Sequence, residues 1–150
     1  KRRDYTPVVD GRNPIIAQEY LGDDVEGKDV FVSDDILSSG ESILDLAREL
    51  KKRKANRIFA AATFALFTNG LEAFDRAYEE GAISRIISTN LTYRTPELKQ
   101  RPWFIEADMS KYMAFVIATL NHDQSLSYLL NPWNRIEKLL TKYRAEHPND

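Results

Sequence analysis

Asp29-Val30-Phe31-Val32-Ser33-Asp34-Asp35-Ile36-Leu37-Ser38-Ser39-Gly40-Glu41-Ser42 is the stretch on which the reading of this chain turns. Asp29 to Ser33 is a short apolar run ending in acidic residues, the pattern of a buried strand with a polar carboxyl end. The loop Asp34 to Ser42 follows. Beyond it Ile43, Leu44, Leu46, Ala47 and Leu50 recur at helical spacing with charges between them, so a helix opens where the loop closes. Lys51-Lys52-Arg53-Lys54 forms a basic last turn that complements the helix dipole. No aromatic residue interleaves those charges as a nucleic-acid patch would.

The same alternation continues on both sides. Arg57 to Leu66 predicts a second strand, broken at Asn69-Gly70, and Leu71 to Glu80 a helix stopped by Gly81. Ile83 to Ser88 predicts a third strand, ending at Thr89-Asn90. The polar stretch Tyr93 to Arg101, with Pro96 inside it and Pro102 after it, predicts a loop. Trp103 to Ala107 predicts a fourth strand. Asp108 then caps a helix with Met109, Tyr112, Met113, Val116, Ile117 and Leu120 as its buried stripe. Asn131-Pro132 opens a last helix with Ile136, Leu139, Leu140 and Tyr143 on one face. Upstream, Asn13-Pro14 predicts a short helix to about Tyr20. Strands separated by helices imply right-handed βαβ units and an α/β fold: a three-layer sandwich around a mostly parallel sheet. Residues 1–131 form the domain, and 132–150 a helical extension of it. Ligands of such sheets sit beyond the carboxyl ends of the strands. Asp34 to Ser42, Phe67-Thr68-Asn69 and Ser88-Thr89-Asn90 are all expected there.

Composition narrows the partners. With 150 residues, 43% of them hydrophobic, the chain can bury one core. A net charge of -2 gives no electrostatic reason to expect nucleic acid. The longest apolar run, Ile58 to Phe67, is half the roughly 20 residues that cross a bilayer, so no membrane is expected. There is no cysteine, and Lys1-Arg2-Arg3-Asp4 is followed by no apolar signal-like segment, which is compatible with a reducing, cytoplasmic location. The chain does not begin with Met and reads as a piece of something longer. His122 and His147 lack ligand spacing and suggest no metal site.

Ser38, Ser39, Gly40 and Ser42 can turn hydroxyls and successive backbone amides toward one point, where the helix amino terminus adds partial positive charge. A phosphate fits there without a lysine. The neighbouring Asp34 and Asp35 would repel that phosphate, but they can accept from sugar hydroxyls or hold a divalent cation. Together these features suit a phosphorylated sugar. The plainer alternative is a capped strand-to-helix turn with solvated acids.

Val32 to Ser42 resembles the phosphoribosyl-pyrophosphate loop of type I phosphoribosyltransferases: apolar strand, two acids, two apolar residues, a small polar pair, Gly, a variable residue, then Thr or Ser. One branch is similar over roughly residues 1 to 130, the ribose-phosphate pyrophosphokinases. Lys1-Arg2-Arg3 resembles the start of their flexible catalytic loop, Val25 to Val30 the approach to the motif strand, and Ala62-Thr63 with Phe67 to Gly70 the next strand and loop. Ser88 to Asn90 is similar to the following strand end, and His122 to Leu130 to the carboxyl-terminal segment. The resemblance implies a partial type I phosphoribosyltransferase-like fold. It also implies transfer of pyrophosphate from ATP, with Mg2+, to the 1-hydroxyl of ribose 5-phosphate, and self-association into homo-oligomers. By position Ser38, Ser39, Gly40, Glu41 and Ser42 would hold the 5-phosphate. Asp34 and Asp35 would bind the ribose hydroxyls or magnesium, and Lys1 and Arg3 would stabilise the transferring phosphorus. Ser38 stands where synthetases usually carry Asp, Glu41 where they carry Gly, Phe64-Ala65 where they carry His-Gly, and Ser33 where the motif strand is apolar. A non-catalytic, synthetase-like regulatory subunit and a nucleobase phosphoribosyltransferase are the alternatives. The 150-residue piece is expected to make no phosphoribosyl pyrophosphate alone.

Overall fold

The computed structural model describes residues 23–148, together with the backbone of Arg2–Arg3 and Ile15–Ala17. These two short segments are strands, β1 (Arg2–Arg3) and β2 (Ile15–Ala17), paired antiparallel. The helix expected from Asn13 is therefore absent at Ile15–Ala17. Two consecutive β-branched residues suit an extended backbone, and pairing with β1 satisfies it. The rest of that stretch lies outside the described residues. The chain divides into two compact units, Lys1–Ala107 and Asp108–Asp150.

The first unit is built on four parallel strands in the order β3 (Val30–Leu37), β4 (Ile58–Ala65), β5 (Arg85–Thr89), β6 (Phe104–Ala107). Helix α1 (Glu41–Lys52) joins β3 to β4 and α2 (Glu72–Glu79) joins β4 to β5. Neighbouring strands in sequence order with right-handed crossovers put both helices on one face. There Leu44, Ala47 and Leu50 of α1 and Phe74 and Ala77 of α2 share a buried cluster with Ile58, Ala60, Ala62 and Ile86. The alanines matter, since small side chains on β4 and both helices let the layers approach closely. On the opposite face Phe31 and Ile105 are exposed, the apolar surface that a three-layer sandwich covers with further helices. Between β5 and β6 the expected loop contains a turn of helix, α3 (Pro96–Lys99). Thr95 Oγ1 accepts from the Leu98 amide at 3.2 Å and Pro96 fits the first turn, a start signal too short to show any periodicity.

β3 runs longer than its apolar run suggests. Pairing with β4 continues through Asp34↔Ala62 to Leu37↔Ala65, so Asp34 to Leu37 are strand and the connection to α1 is only Ser38-Ser39-Gly40. Burial parity slips by one residue in both strands on the way: Val30 and Val32 face the core, then Leu37; Ile58, Ala60 and Ala62, then Ala65. At the other end Asp29 pins β3 to β4. Its Oδ1 accepts from Asn56 Nδ2 (2.8 Å) and the Arg57 amide (3.1 Å), and its Oδ2 from Arg57 Nε (2.9 Å).

The second unit holds α4 (Ser110–Asn121), α5 (Ser127–Leu130) and α6 (Trp133–Glu146). Asp108 Oδ1 accepts from the Ser110 amide, and Asn131 Oδ1 from the Trp133 amide, as their positions before each helix suggest. The stripe expected on α4 is rotated. Tyr112, Met113 and Val116 are half-buried and Thr119 is buried, whereas Ile117 and Leu120 are exposed. α4 is apolar nearly all round, so spacing alone selects no face.

Two consequences can be measured. The Arg57 side chain's hydrogen bond is the main cause that holds the Asp29 carboxyl below its ordinary value near 3.8. A depressed carboxylate pKa stabilises above the unfolded value and is lost as pH falls through the folded one. Urea midpoints should therefore fall below about pH 4 more steeply in the wild type than in Asp29→Asn. Gly40→Ala should lose about 2–4 kcal/mol in urea denaturation, combining a left-handed backbone with overpacking of a buried ring.

Candidate functional site

The carboxyl ends of β3 and β4 come together around the turn Ser38-Ser39-Gly40. Gly40 has φ +83°, a backbone that L side chains rarely adopt, and a Cβ there would collide with the Phe74 ring. The turn thus rests on the core of the domain. Phe74 is itself enclosed by Phe67 (ring centroids 5.0 Å) and Trp103 (5.4 Å), and Phe104 stands 6.2 Å from Phe67. Trp103 Nε1 donates to Asp75 Oδ1 at 2.7 Å, which gives the buried indole its partner.

A second loop, from β4 to α2, is laced to the first. The Leu66 amide donates to the Leu37 carbonyl (2.8 Å) and the Thr68 amide to the Ser38 carbonyl (3.1 Å). The Ser38 and Thr68 hydroxyls stand 3.5 Å apart, and Asn69 Nδ2 donates to Glu41 Oε1 at 3.5 Å. Phe67 takes φ +48° within this loop, a strained value for an aromatic residue that its ring contacts hold in place. Thr68 and Asn69 are therefore part of the rim, and Phe74 is its floor. The Asn69-Gly70 break signalled the loop in the sequence, but nothing there announced Phe74.

The predicted residues are distributed as follows. Ser38 and Glu41 are exposed, Ser39 and Ser42 half-buried and Gly40 buried. Among the described residues the Ser39 and Gly40 amides make no backbone hydrogen bond, and α1 begins immediately after them. Asp34 and Asp35 are exposed within the second half of β3, each turned along the strand. Asp34 Oδ1 accepts from the Asp35 amide (2.9 Å) and Asp35 Oδ1 from the Ile36 amide (2.8 Å). The Asp35 carboxyl lies below its ordinary value, first because the Asp34 side chain hydrogen-bonds to it, then because backbone amides do. The third expected cluster is split: Ser88 is buried on the core side, while Thr89 Oγ1 donates to the Thr63 carbonyl. Arg94 is paired with Glu106 (2.7 Å) and Arg101 with Asp75 (2.9 Å), so both guanidinium groups are engaged in ion pairs. Lys1 and the side chain of Arg3 lie outside the described residues. Among the described residues no three His, Cys, Asp or Glu side chains gather as a metal cage, and no helix is long and apolar enough to cross a membrane.

The arrangement is that of a parallel α/β domain with a short polar turn at a strand's carboxyl end, leading into a helix amino terminus. A family model described as "Phosphoribosyl synthetase-associated domain" matches residues 10–131. This chain belongs to that phosphoribosyl-pyrophosphate synthetase family. The ribose-phosphate pyrophosphokinase of Vibrio cholerae is 27% identical over 127 residues, which cover 83% of this chain and 40% of that protein. The human phosphoribosyl pyrophosphate synthase-associated protein 2 is 32% identical over 106 residues, covering 71% and 28%. The crystal structure of phosphoribosylpyrophosphate synthetase from Mycobacterium smegmatis superposes with a TM-score of 0.59 at 24% identity, over 68% of this chain and 33% of that one. That likeness establishes the type I phosphoribosyltransferase-like fold. The chain spans about two fifths of the length of the curated relatives such as the Vibrio protein.

Titration of the Asp35 carboxyl followed by carbon-13 NMR should give a midpoint below the ordinary value.

Proposed function

We propose that this chain carries the ribose-5-phosphate part of a ribose-phosphate pyrophosphokinase. In this reading its parent transfers pyrophosphate from Mg-ATP to the 1-hydroxyl of ribose 5-phosphate, giving phosphoribosyl pyrophosphate and AMP. The observation that supports it most is the three-residue turn between β3 and α1, with Asp34 and Asp35 exposed on the strand two residues before it. Backbone amides at Ser39 and Gly40 and the hydroxyls of Ser38, Ser39 and Ser42 would receive the 5-phosphate, aided by the amino terminus of α1. Asp34 and Asp35 would accept from the ribose hydroxyls. Each carboxylate has one oxygen on a backbone amide, which fixes its direction.

Two adjacent carboxylates also fit magnesium, which commonly takes one or two carboxylates together with substrate phosphates. Bound there, the ion would neutralise negative charge on the pyrophosphoryl group. Lys1 and Arg3 would act on the same charge from the preceding segment, an assignment that rests on resemblance alone. Homo-oligomeric assembly stands on the same footing, while a cytoplasmic location rests on the absence of cysteine.

A second reading, a non-catalytic subunit, draws on Glu41. Its carboxylate is hydrogen-bonded to Asn69 at the rim of the turn, adding negative charge beside the place a phosphate would take. The similarity to the human synthase-associated protein points the same way.

The two are separated by giving the full-length parent ribose 5-phosphate, ATP and magnesium and measuring AMP. Release that disappears in Lys1→Ala and Asp35→Ala is expected. Calorimetric binding of ribose 5-phosphate without AMP release would favour the regulatory subunit. Turnover only with phosphoribosyl pyrophosphate and a nucleobase would indicate a transferase. The 150-residue chain alone should release no AMP yet bind ribose 5-phosphate, about tenfold more weakly in Asp35→Ala.

A further inference from the structure

Asn69-Gly70 carries a chemistry of its own beside its part in the rim. The chain has eight asparagines, and Asn69 alone precedes a glycine. The amide carbon of any asparagine can close a five-membered ring with the backbone nitrogen of the next residue. Asn13 and Asn131 precede proline, whose nitrogen has no hydrogen to lose. Asn56 donates its Nδ2 to Asp29 at 2.8 Å and precedes the larger Arg57. At Asn69 and Gly70 both residues are exposed, and no side chain shields the attacking nitrogen.

The fold keeps that glycine in place. Gly70 has φ +81°, and a Cβ on it would stand 2.5 Å from Glu72 Oε2, so a residue with a side chain is strained there. Its amide donates to the Phe67 carbonyl at 3.0 Å and closes a four-residue turn. Attack therefore waits for that one bond to open, which costs little in an exposed turn. Phe67 at φ +48° adds strain at the start of the same turn.

We propose that Asn69 is a self-modification site whose conversion to aspartate or isoaspartate loosens the tie between the two loops. The Gly70 nitrogen loses its proton to solvent base and bonds to Asn69 Cγ. The Cγ–Nδ2 bond breaks, and ammonia leaves with a proton taken from water. Water then opens the cyclic imide at either carbonyl, giving aspartate or a backbone routed through the former side chain. Each product lacks the donor that meets Glu41 Oε1 and brings a carboxylate to the same rim. The adjoining Thr68 amide, which donates to the Ser38 carbonyl at 3.1 Å, is the lacing bond next to that repulsion. This holds whatever the turn after β3 binds.

Mass spectrometry tests it on the whole chain, incubated folded at mildly alkaline pH, then cut with trypsin and compared with an unincubated sample. The peptide Ile58–Arg76 contains no other asparagine and should pass from amide to acid mass before any other peptide does. Its rate should rise about tenfold per pH unit, following the ionised fraction of a weakly acidic amide. Isoaspartate methyltransferase should label the product, and Asn69→Gln should stay unlabelled. Asn69→Asp stands in for one product. Hydrogen exchange at the Thr68 amide should quicken about threefold in it, and adding Glu41→Gln should return the wild-type rate. An unchanged peptide, an earlier conversion at another asparagine, or wild-type Thr68 exchange in Asn69→Asp would each overturn the proposal.

Discussion

Gly40 stands in a left-handed conformation against the Phe74 ring, and the first parallel crossover must turn through that one contact. A residue with a side chain would have to push the ring out of a cluster in which Phe74 and Trp103 are both fully buried. The ring in turn is held by Phe67 and Trp103, and Trp103 by its hydrogen bond to Asp75. The shape of the polar turn is thus dictated by an aromatic core beneath it. Rigid support of this kind is what a site made of main-chain amides needs, because such amides cannot adjust as side chains do.

The same logic explains how the two loops at the carboxyl ends are tied. Leu66 and Thr68 donate their amides to the carbonyls of Leu37 and Ser38, carrying the β3–β4 ladder one step past the end of the sheet. Those bonds consume carbonyls of the first loop, while the Ser39 and Gly40 amides make no backbone hydrogen bond among the described residues. Positive φ at Phe67 is what lets its loop fold back far enough, and the strain is offset by three ring contacts. Polar rim and aromatic floor are consequently one structure, and a change in either is felt by the other.

Much of this was legible in the residues, for identifiable reasons. β3, β4 and the α1 stripe declare themselves because a buried parallel strand is an apolar run, and a helix on one face repeats at 3.6 residues. The extension of β3 through Asp34 and Asp35 was hidden, since strand pairing with Ala62 to Ala65 overrides the low β-propensity of aspartate. At Ile15–Ala17 a cap-like Asn-Pro pair pointed to helix, but pairing with Arg2–Arg3 prevailed. α4 misled differently: with apolar residues nearly all round it, the face that becomes buried depends on neighbours far along the chain. Within the site, Ser38 to Ser42 were readable from composition and order. Thr68 and Asn69 were expected beside the turn, as the polar end of the next parallel strand, whereas Phe74 reaches it from within α2, a relation that spacing does not encode.

The proposed reading of the turn as a sugar-phosphate site depends on the balance of charge around it. Asp34, Asp35 and Glu41 place three carboxylates near the amino end of α1, against the partial positive charge of its amides. Asp34 and Asp35 soften the conflict by spending one oxygen each on backbone amides. Glu41 has a comparable outlet in the Asn69 amide. That contact, at 3.5 Å between two exposed side chains, fixes the carboxylate at the rim of the turn without removing its charge.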